Sequence, residues 1–370
     1  MVAGDCYPVR IRKQTKKINK FIKNLLKKIK VKCMKISILI PCYNEELTIK
    51  RCINSCLYQT RPADEIIVVD DSSSDSTPDI LKKYGDKIKV VKTLKNTGNK
   101  SYAQEFGLKF ITGDVFITTD GDTMLSKSFV EIMEKEMADR NISAVAGYVK
   151  SLKFNWITAC RAIDYAVGQN IDKLAQAYLN FVFVIPGAAG AFRTEIFRKE
   201  ISFSHDTLAE DLDFTYRFHK TKNKIKYNRQ AICYTQDPSS LKTYINQMRR
   251  WFAGGWQCFI KHFGVPDSPG MALELSFIYI EGLVYSFVMF LVPLLNLYLT
   301  AYLLVIYSFI VLLLAGYGSV KEKRYDTLKY LPAYIFLKYV NAYVFLEQFV
   351  KEVVFRRRNL SWVKPERVNM

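Results

Sequence analysis

The amino-acid sequence predicts an α/β fold, in which a parallel sheet carries helices on both faces, followed by C-terminal transmembrane and interfacial helices. Between residues 35 and 122, short apolar runs typical of buried strands alternate with segments of helical periodicity. These runs end in polar or acidic residues, and ligands of such sheets bind beyond the carboxyl ends of the strands. Residues 271–318 are almost entirely apolar, which suits two membrane crossings of about 20 residues each.

The first element is a strongly basic N-terminal segment, residues 1–34. The chain has 370 residues and a formal net charge of +19, and residues 10–35 contain twelve Lys and Arg and no acid. In "KKINKFIKNLLKKIKV", residues 16–31, apolar residues recur every three or four positions, which predicts a basic amphipathic helix. Such a helix could bind nucleic acid, lie on an anionic membrane or present a solvated face. The apolar segments downstream favour the membrane surface, and we expect no nucleic-acid partner.

The second region, residues 35–264, is predicted to be a globular domain. Its first strand, "KISILIPC", breaks at Pro41 and precedes the helix "LTIKRCINSCLYQ". The strands "DEIIVVD", "KIKVVKT" and "DVFITTD" follow, separated by the helices "TPDILKKYG" and "KSYAQEFGLKFI". Three of the four strand ends carry polar or acidic residues, in "CYNE", "DDSSSD" and "DGD". Because the carboxyl ends of parallel strands share one edge of a sheet, we expect these groups to converge.

Asp120 and Asp122, one residue apart at a strand end, predict a divalent metal. Two carboxylates this close repel each other unless a cation lies between them, and Mg²⁺ typically takes one or two carboxylates together with phosphate oxygens. The pair alone is a weak signal, because turns often contain Asp. The sequence has neither a P-loop nor a G-x-G-x-x-G motif, which excludes the Walker and dinucleotide-binding modes of holding a nucleotide.

Seven motifs, following one another in order, make a resemblance specific. They are "SILIPCYNEE", "IIVVDDSSSDST", "NTGNKSYAQEFGL", "TTDGDT", "PGAAGAFR", "LAEDLDFTYR" and "QMRRW". Over residues 35–264 the chain resembles glycosyltransferase family 2, and within it the membrane-bound hyaluronan, chitin and cellulose synthase branch. The resemblance implies a catalytic domain with the GT-A nucleotide-sugar fold, a Rossmann-like mixed, mostly parallel sheet with helices on both faces.

The resemblance also implies where substrates and metal bind. The implied substrate-binding residues are Pro41, Tyr43, Glu45, Asp70, Asp71, Lys100, Asp120 and Gly187. Asp71, with Asp70 beside it, would contact the uracil and ribose of a UDP-sugar. The two carboxylates of the D-x-D pair would hold Mg²⁺ or Mn²⁺, Asp122 most directly. A solvated loop lysine is the plainer interpretation of Lys100, and a tight turn is the plainer interpretation of the segment around Gly187.

Asp211, in "AED", is the implied catalytic base. Inversion at an anomeric carbon needs one displacement by an acceptor hydroxyl, and a carboxylate must take the hydroxyl proton as the bond forms. Asp211 also fits a plainer interpretation, an acidic helix start that the helix dipole favours. Cellulose-type enzymes have Thr before Glu-Asp, whereas this chain has Ala209, which removes a hydroxyl but not the base.

The motif "QMRRW" adds Gln247, Arg250 and Trp251 to the implied catalytic residues. Arg250 is suited to neutralise charge on a departing diphosphate, and Trp251 offers a flat apolar face to an acceptor sugar ring. An Arg-Arg-Trp sequence before a membrane segment is also typical of an interfacial anchor, which could describe Arg249 and Trp256.

The last region, residues 265–370, is predicted to be associated with the membrane. We expect transmembrane helices at about residues 273–293 and 297–318, an interfacial or re-entrant helix at about 328–352, and then a basic cytoplasmic tail. Lys338 lies near the middle of the third segment, and a lysine at the bilayer centre costs about 3 kcal/mol on insertion scales. Basic residues follow the second and third segments, so the positive-inside rule predicts a multi-pass protein of the cell membrane with a cytoplasmic catalytic domain.

Together these predictions describe a membrane-bound, inverting, metal-dependent glycosyltransferase that moves a sugar from a UDP-sugar to a glycan acceptor and forms a β-glycosidic bond. A single-addition enzyme acting on a polyprenyl phosphate or a lipid-linked glycan is the alternative, although "QMRRW" argues against simple transfer to a phosphate. A membrane-tethered nucleic-acid binder would use residues 10–35 but leaves the set of acids unexplained.

Membrane lipids are expected partners. Export of a polymer would need an oligomer or an export partner, because two helices cannot enclose a polar chain away from lipid.

Overall fold

The structure is a computed structural model and describes residues 34–221, 223–262, 269–357, 360 and 368. The chain divides into two compact units, Met1–Met34 and Lys35–Met370, and all the described helices and strands belong to the second. The basic segment predicted for residues 1–34, apart from Met34, and most of the basic C-terminal tail lie outside the described residues. Both stay predictions.

A mixed sheet of eight strands forms the centre of the second unit. The strands are β1 (Ile36–Cys42), β2 (Glu65–Asp70), β3 (Lys89–Lys92), β4 (Val115–Thr118), β5 (Thr123–Leu125), β6 (Ile142–Ser151), β7 (Gly190–Arg193) and β8 (Lys224–Thr235). Their order across the sheet is β3-β2-β1-β4-β7-β6-β8-β5. β1 runs parallel to β2 and β4, β2 to β3, and β6 to β8, whereas β7 is antiparallel to β4 and β6, and β5 to β8. The predicted mixed, mostly parallel sheet is confirmed.

Helices connect the strands and continue beyond the sheet. They are α1 (Ile49–Leu57), α2 (Thr77–Lys82), α3 (Lys100–Leu108), α4 (Phe129–Met137), α5 (Trp156–Val167), α6 (Lys173–Tyr178), α7 (Thr194–Ile196), α8 (Glu210–Lys220), α9 (Leu241–His262), α10 (Pro269–Phe290), α11 (Val292–Leu295), α12 (Leu297–Lys321) and α13 (Leu331–Phe349). Gly85–Lys87 and Tyr325–Tyr330 form 3₁₀ turns, and Gly168–Asp172, Phe197–Ile201 and Val350–Val354 form π turns.

The strands form where the sequence is apolar without interruption. Every residue of β1 is buried, and so is all of β2 after its first residue, as expected for strands of a parallel sheet. The connecting helices are amphipathic instead, and α1 buries Ile49 and Ile53 together with Cys52 and Cys56. α3 begins at Lys100 because the side chain of Asn99 accepts a hydrogen bond from the backbone N–H of Ser101.

β1 lies between β2 and β4, so the carboxyl ends of these three parallel strands lie side by side. In the register, Cys42 is opposite Asp70 at one side of β1, and Leu39 is opposite Thr118 at the other. The segments that follow the three strands therefore leave the sheet at the same edge. This is the convergence of polar strand ends that the sequence predicts.

Two C-terminal helical stretches are long and apolar enough to cross a membrane. The first, Phe277–Leu295, comprises most of α10 and all of α11, and the second, Leu297–Lys321, is α12. Asn296 separates them and caps α12, because its side chain accepts a hydrogen bond from the backbone N–H of Leu299 at 3.0 Å. The predicted spans at about 273–293 and 297–318 correspond to these two helices. Their length and hydropathy suit a crossing, and the crossing itself stays a prediction.

α13 packs on the sheet-bearing part of the unit and uses its polar residues there. The Lys338 ammonium lies 2.8 Å from Asp164 Oδ1 on α5, and the Tyr244 hydroxyl on α9 donates a hydrogen bond of 2.8 Å to Asn341 Oδ1. Within the described ranges, α13 is not among the helices with the length and hydropathy of a membrane span. The interfacial or re-entrant helix expected at about residues 328–352 corresponds to α13, and its placement relative to a bilayer stays a prediction.

The interfacial anchor considered for Arg249 and Trp256 does not describe their surroundings. Trp256 is buried, and its ring packs between those of Tyr279 on α10 and Phe345 on α13 at centroid distances of 4.8 and 5.1 Å. Arg249 Nε lies 2.9 Å from Glu347 Oε2 on α13. Both residues therefore join α9 to neighbouring helices.

An aromatic cluster forms part of the core beside β7. The ring of Phe192, which is fully buried, lies 5.2 Å from the rings of Phe116, Phe197 and Phe214 and 5.8 Å from that of Phe218. Edge-to-face arrangements among these rings add to the gain from burying their apolar surface. This cluster supports β4 and β7, and therefore the loops that follow them.

We expect Phe192→Ala to lower the free energy of unfolding by about 3–5 kcal/mol, because it opens a cavity in a part of the core that the other rings cannot fill. Urea unfolding of the full chain in detergent measures this. Phe154→Ala removes the same ring from a position that is 54% exposed and serves as the control. Equal destabilisation by the two substitutions would contradict the role given to the cluster.

Candidate active site

A cavity of about 420 Å³ lies at the carboxyl edge of β1, β2 and β4. It is lined by all but one of the predicted site residues, namely Pro41, Tyr43, Glu45, Asp71, Lys100, Asp120, Asp122, Gly187, Asp211, Gln247, Arg250 and Trp251. The exception is Asp70. The fold thus brings three strand ends, the start of α8 and the middle of α9 to one place.

Lys100 is the cation at the centre of the cavity's acidic groups. Its Nζ lies 2.5 Å from Asp120 Oδ1 and 3.3 Å from Glu210 Oε1. Burial by itself would lower the pKa of Lys100, but the two carboxylates outweigh burial, so the pKa is raised and the side chain stays charged. The plainer interpretation of Lys100, a solvated loop lysine, is wrong, because both of its partners line the cavity.

Gly187 provides space beside this cation. A Cβ at position 187 would lie 3.0 Å from Lys100 Nζ and 3.5 Å from Glu210 Oε1. A side chain here would crowd the Lys100 ammonium, so the small residues of "PGAAGAF" fit the close packing of charged groups as well as a turn. The backbone N–H of Gly187 points to Asp211 Oδ2 at 3.4 Å.

Asp211 lies in the first turn of α8 and borders the cavity. Its Oδ1 accepts a hydrogen bond of 2.9 Å from the backbone N–H of Leu212. Burial, followed by the neighbouring charge of Glu210, raises the pKa of Asp211 to about 6, while Lys100 opposes the rise. Asp211 therefore lies both at an acidic helix start and at the cavity. Its carboxylate is ionised near neutral pH and is more basic than that of an ordinary aspartate.

Asp213, two residues after Asp211, forms ion pairs outside the cavity. Asp213 is buried and lies 2.8 Å from each of His262, Lys261 and Arg217. Burial would raise the pKa of Asp213, but these partners lower it to about 2. Asp213 does not line the cavity.

Asp71 lines the cavity, whereas Asp70 lies beneath the loop that follows β2. Asp71 accepts hydrogen bonds from the Thr93 hydroxyl and from the backbone and hydroxyl of Thr97 at 2.8–3.1 Å. It therefore fixes the loop before α3 as well as bordering the cavity. Asp70 is the last residue of β2, and its Oδ1 accepts from the backbone N–H of Ser73 at 2.9 Å. The prediction that Asp70 contacts substrate has no support in this geometry, because its carboxylate shapes the loop.

Pro41, Tyr43 and Glu45 border the cavity from the end of β1. Glu45 is buried, its Oε2 accepts a hydrogen bond of 2.6 Å from the Thr48 hydroxyl, and its backbone N–H donates to the Thr77 hydroxyl at 2.8 Å. A Cβ at Gly121 would lie 3.1 Å from Glu45 Cγ. The glycine between the two acids of the D-x-D pair therefore lets that turn approach the end of β1.

The D-x-D carboxylates offer part of the shell of a divalent metal. Both line the cavity, and carboxylate oxygens suit Mg²⁺ or Mn²⁺. In the part of the chain that the structure describes, no group of three or more His, Cys, Asp and Glu could hold a metal. Two protein carboxylates fit a metal that takes its other ligands from phosphate oxygens and water. Asp120 is paired with Lys100, and Asp122 Oδ1 accepts a hydrogen bond of 2.9 Å from the Thr123 hydroxyl, so which of the two carboxylates is the more direct ligand stays a prediction.

The residues of "QMRRW" occupy successive turns of α9. Gln247, Arg250 and Trp251 line the cavity, and the Trp251 side chain is 38% exposed. Gln247 Oε1 is buried and has no hydrogen-bond partner among the described residues. An unsatisfied buried oxygen is unusual in a folded protein, so Gln247 is a candidate for contact with a ligand.

Sequence reasoning missed a second set of cavity residues. Tyr165 on α5, Gln169 in the following π turn, Lys173 on α6 and Asp237 after β8 all line the cavity. Lys173 is buried, and burial lowers its pKa to about 8, with Asp211 opposing the shift. The first three belong to a segment that resembles any amphipathic helix. Asp237 had one usable signal, since it follows a strand as the other acids do.

Comparisons with known proteins agree with this fold. Residues 37–199 match the model of the family Glycosyl transferase family 2. The probable glycosyltransferase YdaM of Bacillus subtilis is 30% identical over 243 residues, which cover 61% of this chain and 56% of YdaM. The poly-beta-1,6-N-acetyl-D-glucosamine synthase of Staphylococcus epidermidis is 27% identical over 233 residues, covering 62% and 56% of the two chains. The hyaluronan synthase of Streptococcus pyogenes is 26% identical over 236 residues, covering 59% and 56%.

Solved structures share the fold at low identity. A mannosyltransferase, PcManGT from Pyrobaculum calidifontis in complex with GDP-Man and Mn²⁺, superposes with a TM-score of 0.61 at 18% identity and covers 88% of each chain. A fragment of S. aureus TarS in complex with UDP has a TM-score of 0.53 at 18% identity, covering 88% of this chain and 92% of the fragment. The fold is the GT-A fold of glycosyltransferases. The chain carries a glycosyl transferase family 2 domain, and it spans about half the length of the curated relatives it matches.

Proposed function

We propose that the protein is a membrane-bound, inverting glycosyltransferase that transfers a sugar from a UDP-sugar to a glycan acceptor and forms a β-glycosidic bond. One observation carries the proposal: the D-x-D pair, Asp211 and the "QMRRW" residues meet in one cavity. The similar synthases of Staphylococcus epidermidis and Streptococcus pyogenes support a glycan product. The ring face of Trp251 favours a sugar acceptor over a bare polyprenyl phosphate.

In this proposal, Asp211 takes the proton of the acceptor hydroxyl. The oxygen attacks the anomeric carbon from the face opposite the leaving group, the new C–O bond forms as the bond to the diphosphate breaks, and UDP departs. A carboxylate with a pKa of about 6 is deprotonated at neutral pH yet more basic than an ordinary aspartate. Burial beside Glu210 therefore tunes Asp211 toward this task.

The donor occupies the edge of the sheet in the proposed complex. Tyr43 and Asp71 border the nucleoside, and Asp122 with Asp120 holds Mg²⁺ or Mn²⁺ on the diphosphate. The metal would neutralise phosphate charge and orient the leaving group. Arg250 and Lys100 add positive charge where negative charge grows on the departing diphosphate.

We further propose that the chain is a multi-pass protein of the cell membrane with its catalytic part in the cytoplasm. The two apolar helices, Phe277–Leu295 and Leu297–Lys321, would cross the bilayer, and α13 would lie at the interface. The contacts of Lys338 and Asn341 with the catalytic part support this arrangement of α13. Membrane lipids are then partners, and export of a long glycan would need a second copy or another protein.

We expect Asp211→Asn to lower kcat by about 10²–10⁴-fold, because an amide cannot accept the proton. UDP affinity should stay within a few-fold of wild type, since Asp211 lies apart from the proposed nucleoside residues. Initial rates with a purified full chain in detergent, together with UDP binding, measure both quantities. Asp206→Asn is the control, because Asp206 pairs with Lys261 outside the cavity lining. A rate for Asp211→Asn within threefold of wild type would remove this residue from the role of base.

The pKa of Asp211 predicts the acid limb of the pH profile. The base must be deprotonated to act, so kcat/KM should fall about tenfold per pH unit below about pH 6, where an ordinary aspartate would keep its activity down to about pH 4. The affinity for UDP, measured over the same range, separates loss of the base from loss of donor binding. A flat profile of kcat/KM down to pH 4.5 would contradict the assignment.

We expect excess EDTA to abolish transfer and Mn²⁺ or Mg²⁺ to restore it. Asp122→Ala should weaken metal-dependent UDP binding, because it removes the more direct carboxylate. Calorimetric titration with UDP, with and without metal, measures this independently of turnover. Asp79→Ala removes an exposed carboxylate of α2 and should change nothing. Full turnover in EDTA would show that the D-x-D pair has another purpose.

A further inference from the structure

Asp237 is a buried carboxylate at the cavity that none of the proposed steps uses. It follows β8, is 3% exposed and lines the cavity. Its Oδ1 lies 3.4 Å from Arg161 Nε and accepts a hydrogen bond of 3.5 Å from the Tyr165 hydroxyl. Its Oδ2 is buried without a hydrogen-bond partner in the described part of the chain. A buried carboxylate oxygen without a hydrogen-bond partner is energetically costly, and a donor from a ligand would remove that cost.

Arg161 connects this carboxylate to the ring of Trp251. The guanidinium carbon lies 4.8 Å from the centroid of the Trp251 ring, so one planar group packs on the indole and pairs with Asp237. Arg161 is 4% exposed and is not itself part of the cavity lining. Arg161 therefore holds two cavity-lining residues, Asp237 and Trp251, in position, although Arg161 itself does not border the cavity.

A wider network fixes Arg161. Its Nη1 lies 2.9 Å from Asp164 Oδ2, and Asp164 Oδ1 lies 2.8 Å from Lys338 Nζ on α13. Two cations and two carboxylates alternate in this network, so its charges balance. Because Asp164 also holds Arg161, removal of Asp237 leaves the buried guanidinium with a carboxylate partner, which makes substitutions at position 237 tolerable for folding.

The chemistry of the pair suits a neutral sugar. A ring face packs against the apolar face of a pyranose, and a carboxylate oxygen accepts hydrogen bonds from hydroxyl groups. Asp237 would repel a phosphate or another anion at the same place. The pair therefore points to hydroxyl-rich acceptors and not to phosphorylated ones.

We infer that Asp237 is a specificity-determining residue, whose Oδ2 accepts a hydrogen bond from a hydroxyl of the acceptor sugar, and that Arg161 is a positioning residue that holds Asp237 and Trp251 in place. The inference rests on the proposed function, because it names the acceptor side of the same cavity. It assigns no role in the chemical step to either residue.

The experiment uses the full chain in detergent and two probes, the β-linked tetrasaccharides of glucose and of N-acetylglucosamine. Tryptophan fluorescence titration gives tetrasaccharide affinity, since Trp251 borders the site. Hydrolysis of UDP-glucose and of UDP-N-acetylglucosamine gives the competence of the donor side. We expect Asp237→Ala to weaken tetrasaccharide binding about tenfold or more, because a hydrogen bond to a charged group is lost. Donor hydrolysis should stay within twofold of wild type.

Two further variants separate positioning from general loss of structure. Arg161→Met should weaken tetrasaccharide binding and raise the KM for the tetrasaccharide as acceptor about threefold or more, with kcat and donor KM unchanged, because the indole loses its cationic partner. Arg249→Met breaks a different ion pair, the one that joins α9 to α13, and this variant should bind like wild type. Asp237→Asn keeps the shape and guards against misfolding of the alanine variant.

The outcomes distinguish failure of the inference from failure of the proposed function. Tetrasaccharide affinity within twofold of wild type in both Asp237 variants would overturn the inference, and so would an equal loss in Arg249→Met. Donor hydrolysis by a wild-type chain that binds neither tetrasaccharide would overturn the acceptor site while leaving the donor half of the proposed function intact. A wild-type chain that hydrolyses neither UDP-sugar in the presence of Mn²⁺ would count against the proposed function itself, whichever tetrasaccharide it binds.

Discussion

A single ammonium group, that of Lys100, holds the acids of the cavity together. Two like charges about 4 Å apart repel each other by roughly 4 kcal/mol near a protein surface, and three of the acids that line this cavity, Asp120, Glu210 and Asp211, interact with Lys100. Lys100 contacts Asp120 after β4 and Glu210 at the start of α8, and its charge also limits the rise of the pKa of Asp211. The donor edge and the proposed base therefore share one counterion, at the first residue of α3.

Much of this arrangement follows from the sequence for a simple reason. Uninterrupted apolar runs predict β1, β2 and β4, and parallel pairing then forces the polar residues after them to one edge. What the sequence could not decide is the orientation of adjacent acids. Asp70 and Asp71 are equivalent in the sequence pattern. In the structure, the loop directs the carboxylate of Asp70 toward Ser73 and that of Asp71 toward Thr93 and the cavity. Loop geometry, and not residue type, makes this choice.

The acceptor side was harder to predict because its residues come from distant segments. Arg161, Asp164 and Asp237 look like ordinary charges on an amphipathic helix and after a strand, and only tertiary contact buries them. Lys338 shows the same limit. Its charge argues against a place in lipid, but its partner Asp164 is 174 positions away and has no local signature. Pairing across such distances depends on how α13 packs, which a pattern within one segment does not encode.

The packing of α9 against α10 and α13 has a consequence for preparing the protein. The family match ends at residue 199, yet the compact unit extends from Lys35 to Met370. A chain cut after α9 would bare the indole of Trp256 to water and strip the Tyr244 hydroxyl and Arg249 of their partners. α9 also carries three residues of the cavity wall, so such a fragment would lose solubility and the shape of the wall together. A cut after α9 therefore leaves neither a soluble fragment nor an intact cavity wall, so the full chain is the form in which the site has to be prepared.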